Sequence, residues 1–216
     1  MELSIDFINN IMERLSSNRP LFHSESDLQH ELALILANES NKKIRLEKPF
    51  LNIPLNKSKN IKIELDLFLP NEKVGIELKY KTIKRNIKFN GEDFFLKNHA
   101  AQNLGRFDFF DDFRRLLMLK KQGIINIGFV IFLTNDPLYW NRIQRSNFSS
   151  NFSMEDERVI KKNTILTWEG NPGENSVTPK RLGEHAKIEV DNELILTWKK
   201  YSEFEGCKFR YLVVQV

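Results

Sequence analysis

The chain of 216 residues is 41% apolar and 11% aromatic, with 17 Phe. A disordered chain is poor in such residues, so a folded core is expected, organised as a single domain over 1–216. Lys and Arg number 33 against 29 Asp and Glu, a formal charge of +4 that permits a polyanionic partner without demanding one. One cysteine, Cys207, excludes an intrachain disulfide framework, and four scattered His argue against a Cys/His zinc site. No apolar run has the length of a membrane span, and Met1–Asp6 lacks the basic and apolar regions of a signal peptide. A cytoplasmic protein with no membrane association is expected.

Ile5, Ile8, Ile11, Met12 and Leu15 recur at helical spacing and predict a helix over 4–15, in an N-terminal segment over 1–20 that closes at Pro20. Ser24, three residues before Asp27, offers a capping box for a second helix faced by Leu28, Leu32, Ile35 and Leu36. Residues 43–54 read as a strand and 56–60 as a turn. The period then switches to two: Ile61, Ile63, Leu65, Leu67 and Leu69 alternate with Lys62, Glu64, Asp66 and Phe68. After a turn at Pro70–Lys73, Val74, Ile76, Leu78 and Tyr80 alternate again, which makes a hairpin. A long helix is expected over 98–122, ending at Gly123 with Lys120 and Lys121 in its last turn. Ile124–Leu133 is a nearly continuous apolar run, the pattern of a strand buried on both faces. Residues 141–162 show no period. Short β-like runs at 163–168, 186–190, 193–199 and 208–216 predict a β-rich C-terminal extension over 141–216. Ile-Leu-Thr-Trp occurs at 165–168 and 195–198, too short a match to define a repeat.

Centring the hairpin turn between Asn71 and Glu72 pairs Ile63 with Tyr80, Leu65 with Leu78, Leu67 with Ile76 and Leu69 with Val74, an apolar face. The other face pairs Lys62 with Lys81, Glu64 with Lys79, Asp66 with Glu77 and Phe68 with Gly75. Two directly opposed carboxylates repel, and a hairpin gains nothing from them. A divalent cation between Asp66 and Glu77 removes the penalty, and hard oxygen ligands suit Mg²⁺ or Mn²⁺. Lys79, two residues along the same face, can then hold a water beside the metal. The alternative is a solvated charged face in which Glu64 pairs with Lys79.

The order helix, strand, hairpin with Asp66 and Glu77-Leu78-Lys79, helix, buried strand resembles the PD-(D/E)XK nuclease superfamily. The resemblance covers residues 24–134, and Leu65 stands where the motif name has Pro. It implies an α/β (α+β) fold: a restriction-endonuclease-like αβββαβ core, with a central mixed sheet flanked by helices. It also implies a Mg²⁺-dependent endonuclease acting on DNA, with Asp66, Glu77 and Lys79 as catalytic residues. Glu31, three after Leu28 and four before Ile35, lies beside the apolar face of its helix, where an acid needs a partner. Superfamily members often place a Glu on this helix, so Glu31 joins Asp66 and Glu77 as an expected metal ligand. Lys81, Lys84, Arg85 and Lys88 belong to an acid-free run that suits phosphate contacts, or equally a solvated loop. The resemblance directs Gln102 and Arg106, one turn apart, toward the same cleft as DNA contacts. Asp108, Asp111 and Asp112 read as a solvated acidic face, and the Phe stripe beside them as core. A double-strand cutter of this kind would act as a homodimer. Restriction, phage defence and repair all stay open, as does delivery by a partner protein. A non-catalytic DNA-binding or assembly module with the same fold is the alternative.

Overall fold

The computed structural model describes residues 3–40, 42–56, 58–142, 149–169 and 187–216. Helix α1 (Ile5–Asn18) starts at Ser4, whose hydroxyl accepts the Phe7 N–H, and buries Ile8, Ile11, Met12 and Leu15. Helix α2 (Glu25–Ser40) follows Ser24, which accepts the Asp27 N–H. Asp27 in turn accepts from the His23 N–H and from Arg19, so the expected cap closes on the chain before the helix.

Three strands follow, β1 (Arg45–Pro54), β2 (Asn60–Leu69) and β3 (Val74–Lys81), then a ribbon of β4 (Arg85–Phe89) and β5 (Glu92–Leu96). The basic run read as a possible loop thus lies largely on a strand, with Ile87, Phe94 and Leu96 anchoring it to the core. Helix α3 (Gln102–Lys121) begins later than expected, because residues 97–101 brace the end of β3 instead. Strand β6 (Ile127–Thr134) is buried along nearly all its length. The short strands β7 (Arg158–Ile160), β8 (Thr164–Leu166), β9 (Ile188–Val190) and β10 (Leu194–Leu196) precede β11 (Trp198–Phe204) and β12 (Cys207–Gln215).

The central sheet is mixed, in the order β1-β2-β3-β6-β12-β11. Among the described residues its only parallel pair is β3 with β6. The last two strands of the expected C-terminal extension therefore belong to the central sheet. β12 lies inside the sheet against β6, and β11 forms one edge. Helices α1 and α2 cover one face, with Leu67, Ile76, Leu78, Ile131 and Tyr211 beneath them. Helix α3 covers the other, with Phe109, Phe110, Phe113 and Leu116 packed on Leu65, Val130, Phe132 and Leu212. Fully burying such a side chain contributes roughly 1.5–3 kcal/mol. Gly75 and Gly128 are register partners beneath α3. A Cβ on Gly128 would stand 3.0 Å from the Leu116 Cβ, so these two positions let the helix sit close on the sheet. No helix among the described residues is long and apolar enough to cross a membrane.

Candidate functional site

β2 and β3 form a ladder only near their turn, where Leu67 opposes Ile76, Phe68 opposes Gly75 and Leu69 opposes Val74, the register expected from the sequence. Beyond Leu67 the strands part. β2 stays with β1, while β3 runs on beside β6 to Lys81. The remaining expected pairs, from Asp66 with Glu77 to Lys62 with Lys81, are not ladder pairs. The distortion centres on Asp66. Opposite it, Glu47 has φ 49°, a left-handed conformation uncommon outside glycine, and it drops out of the β1–β2 register. Gln29 Nε2 donates to the Asp66 carbonyl at 2.8 Å and to Glu47 Oε1 at 2.6 Å, and so holds the distortion in place. The apolar alternation changes sides here. Ile63 and Leu65 pack toward α3, whereas Leu67 and Leu69 pack toward α1 and α2, so the eight residues expected to share one face do not.

Where β2 leaves, alternate N–H groups of the β3 segment need other acceptors. The Leu78 N–H donates to Asp66 Oδ2 at 2.6 Å, the Tyr80 N–H to Glu25 Oε2 at 2.7 Å and the Thr82 N–H to His99 Nδ1 at 3.0 Å. The gap thus draws in two carboxylates and fixes them by backbone hydrogen bonds. Glu77 is buried, and its carboxyl lies close enough to that of Asp66 to share a hydrogen bond. Burial, reinforced by Asp112 and Asp66, pushes Glu77 well above the carboxylate range despite Arg115. Burial also raises Asp66, against the pull of the Leu78 N–H and Lys79. Both shifts have one meaning: the pair takes up a proton more readily than an isolated acid.

Helix α3 supplies the counter-charges. Lys79 Nζ lies 2.5 Å from Asp112 Oδ2. Arg115 bridges Glu77 Oε1 at 2.6 Å and Asp112 Oδ1 at 3.1 Å, and also donates to the Glu64 carbonyl. Asp112 is 2% exposed, which corrects its reading as part of a solvated face. Burial pushes its pKa up to about 6 although Lys79 and Arg115 oppose this. Burial pulls the Lys79 ammonium down, but Asp112, Glu25 and Glu77 outweigh it, and the ammonium titrates above its ordinary range. Lys79 does not pair with Glu64, which pairs with Lys62.

The structure brings together Asp66, Glu77 and Lys79, as read from the sequence, and adds Glu25, Asp112 and Arg115. Glu31 is half-buried farther along α2, where its charge acts on Tyr201; the α2 acid at the cluster is Glu25. Gln102 donates to Asp136 at 2.9 Å, and Arg106, buried, donates to the Leu138 carbonyl at 2.6 Å and lies over the Tyr139 ring. Both brace the turn after β6. Lys81 is half-buried, and Lys84, Arg85 and Lys88 are exposed. Glu25 reads in the sequence as a first-turn acid that favours any helix start. Asp112 had a clearer signal: it follows Phe109 and Phe110 and precedes Phe113, so the apolar stripe carries it inward.

Among the described residues, no group of three or more His, Cys, Asp or Glu side chains is arranged to hold a metal ion. The pair Asp66 and Glu77 offers hard carboxylate oxygens; burial is the first cause of its raised proton affinity, with the neighbouring acids adding to it. As a donor pair, it fits Mg²⁺ or Mn²⁺. Comparison with protein-family models, curated proteins and solved structures finds no match for the chain.

Proposed function

We propose that the chain is a metal-dependent endonuclease hydrolysing DNA phosphodiester bonds, on a restriction-endonuclease-like core formed by α2, β1–β3, α3 and β6. The observation that carries this reading is the convergence of Asp66, Glu77 and Lys79 where β2 and β3 part. Asp66 and Glu77 would hold Mg²⁺ or Mn²⁺, which when bound polarises the scissile phosphate and acidifies a water. Lys79 serves as a fixed cation. Asp112 orients its ammonium and keeps it protonated, so it stabilises negative charge as that charge develops on the phosphate. Glu25 anchors the end of β3 beside the acids through the Tyr80 N–H.

The salt bridge from Arg115 to Glu77 favours a second reading. A buried acid already matched by a guanidinium suits a DNA-binding or assembly module that has the fold without turnover. Incubation with supercoiled, linear and single-stranded DNA in Mg²⁺, Mn²⁺ or Ca²⁺ separates the two. Cleavage that needs Mg²⁺ or Mn²⁺ and disappears in Lys79→Met supports the enzyme. DNA binding without cleavage, and with no thermal shift on adding Mg²⁺, supports the module.

A further inference from the structure

Beyond Glu25 the end of β3 opens into a cavity of about 200 Å³ that the proposed chemistry does not use. Sites that enclose a whole organic ligand measure roughly 300–1,000 Å³, so this one suits a group, not a molecule. Its walls carry mostly cations and donors: His23, Lys81, Lys97 and His99 against one acid, Glu25. Glu25 is already engaged by the Tyr80 N–H, and His23 pairs with Glu92 while stacking on Phe94. Among the described residues, Lys81 and Lys97 have no ion-pair partner.

The donors are fixed in place. The Thr82 hydroxyl donates to the Lys97 carbonyl at 2.6 Å, and the His99 N–H donates to the Thr82 carbonyl at 2.8 Å. The Thr82 N–H donates to His99 Nδ1, so the neutral ring carries its proton on Nε2 and has that N–H free to give. The segment from Lys97 to His99 is thus clamped across the end of β3. Burial, and after it the nearby Lys81, holds His99 below its ordinary pKa, while Glu25 acts in the opposite direction.

We propose that this cavity is a phosphate subsite, in which Lys81, Lys97 and His99 Nε2–H hold a backbone phosphate of the DNA strand next to the one at Asp66 and Glu77. The identity of the ligand as DNA rests on the nuclease reading; the preference for phosphate rests on the cavity. The test uses the full chain in EDTA, so no cleavage occurs. His ring resonances are followed by NMR during titration with inorganic phosphate, then with a single-stranded oligodeoxynucleotide. With either ligand His99 should shift while His30, exposed on the outer side of α2, stays put. In the double variant Lys81→Gln/Lys97→Gln the shift should vanish. The slope of log affinity for the oligonucleotide against log salt should fall by about 0.7 for each of the two lysines neutralised. Circular dichroism of the variant checks that it folds, and Lys97→Gln alone, at an exposed position, repeats the measurement for a single lysine.

A stationary His99, or a variant that titrates like the parent, overturns the proposal. A shift with inorganic phosphate but not with the oligonucleotide overturns its assignment to DNA. A parallel Mg²⁺ cleavage assay keeps the two readings apart. The expected shifts without cleavage would leave the subsite standing and remove the nuclease. Cleavage with KM unchanged in the double variant would remove the subsite and leave the nuclease.

Discussion

Asp66 performs two tasks that two substitutions separate. Asp66→Asn keeps an oxygen for the Leu78 N–H and removes the charge; Asp66→Ala removes both. An orphaned buried N–H costs about 1–3 kcal/mol. Metal-free melts should therefore show Asp66→Asn as stable as the parent or more so, and Asp66→Ala less stable, with cleavage lost in both. Equal melts for the two would mean that the carboxylate does not cap β3. The raised acids, Asp66, Glu77 and Asp112 at the site and Asp108 beside it, also set a pH dependence. A carboxyl whose pKa is raised on folding contributes stability that is full below its unfolded value and is lost as pH rises through the folded value. For Asp112 that window runs from 3.8 to about 6, and Asp66 and Glu77 act in the same direction. In EDTA, Tm should rise as pH is lowered from about 7 to about 5, and Asp66→Asn should flatten the rise. A parent profile that falls over this range would contradict the raised acids. At this scale the turn alone keeps Asp66, Glu77 and Lys79 near one another in sequence and space, though not as the ladder pairs the alternation predicts. The sequence could not show Arg115 on Glu77, since that salt bridge depends on where α3 crosses the sheet.

The hairpin register was readable for the three pairs next to its turn, and the helix faces from their period, because both depend on neighbours within a few residues. The side-switch between Leu65 and Leu67 was not, since its cause is Glu47 on another strand and Gln29 on a helix. The ribbon β4–β5 was hidden by charge: its inward residues Ile87, Phe94 and Leu96 are few, while Arg85, Asn86, Lys88, Glu92, Asp93 and Phe95, the last 68% exposed, face outward. If DNA passes the site, Lys84, Arg85 and Lys88 on the first strand of this ribbon and just before it are the cations that would meet it. Replacing Lys84, Arg85 and Lys88 together with Gln should leave Tm unchanged, because all three side chains are exposed. The salt slope of duplex binding should drop by about 0.9 for each phosphate no longer neutralised. An unchanged slope, measured by fluorescence anisotropy across a salt series, would mean that the ribbon faces away from DNA.

Strand order belongs to the whole molecule, and nothing local in residues 193–216 announces that they complete the main sheet. Read in isolation, short strands separated by turns suggest an appendage, and an appendage can be removed. The topology requires the opposite. β12 pairs with β6 from Phe129 to Thr134, and its side chains enter both cores: Leu212 and Val214 beneath α3, Phe209, Tyr211 and Val213 beneath α1 and α2. Tyr201 and Ser202 of β11 donate to the Arg19 and Pro20 carbonyls, which ties the segment between α1 and α2 to the far edge of the sheet. Ending the chain at residue 192 would strip β6 of one hydrogen-bonded neighbour and expose both apolar layers together. A contiguous apolar surface of that size and an unpaired strand edge both favour aggregation. The truncated chain should therefore be insoluble or lack a cooperative melt. In the full chain, tryptophan fluorescence should follow the α3 side through Trp140, Trp168 and Trp198, and far-UV circular dichroism the sheet and helices together. Because one sheet joins both layers, the two urea transitions should coincide. A soluble, cooperatively melting fragment 1–192, or two separated transitions in the full chain, would mean that the C-terminal strands form an independent unit.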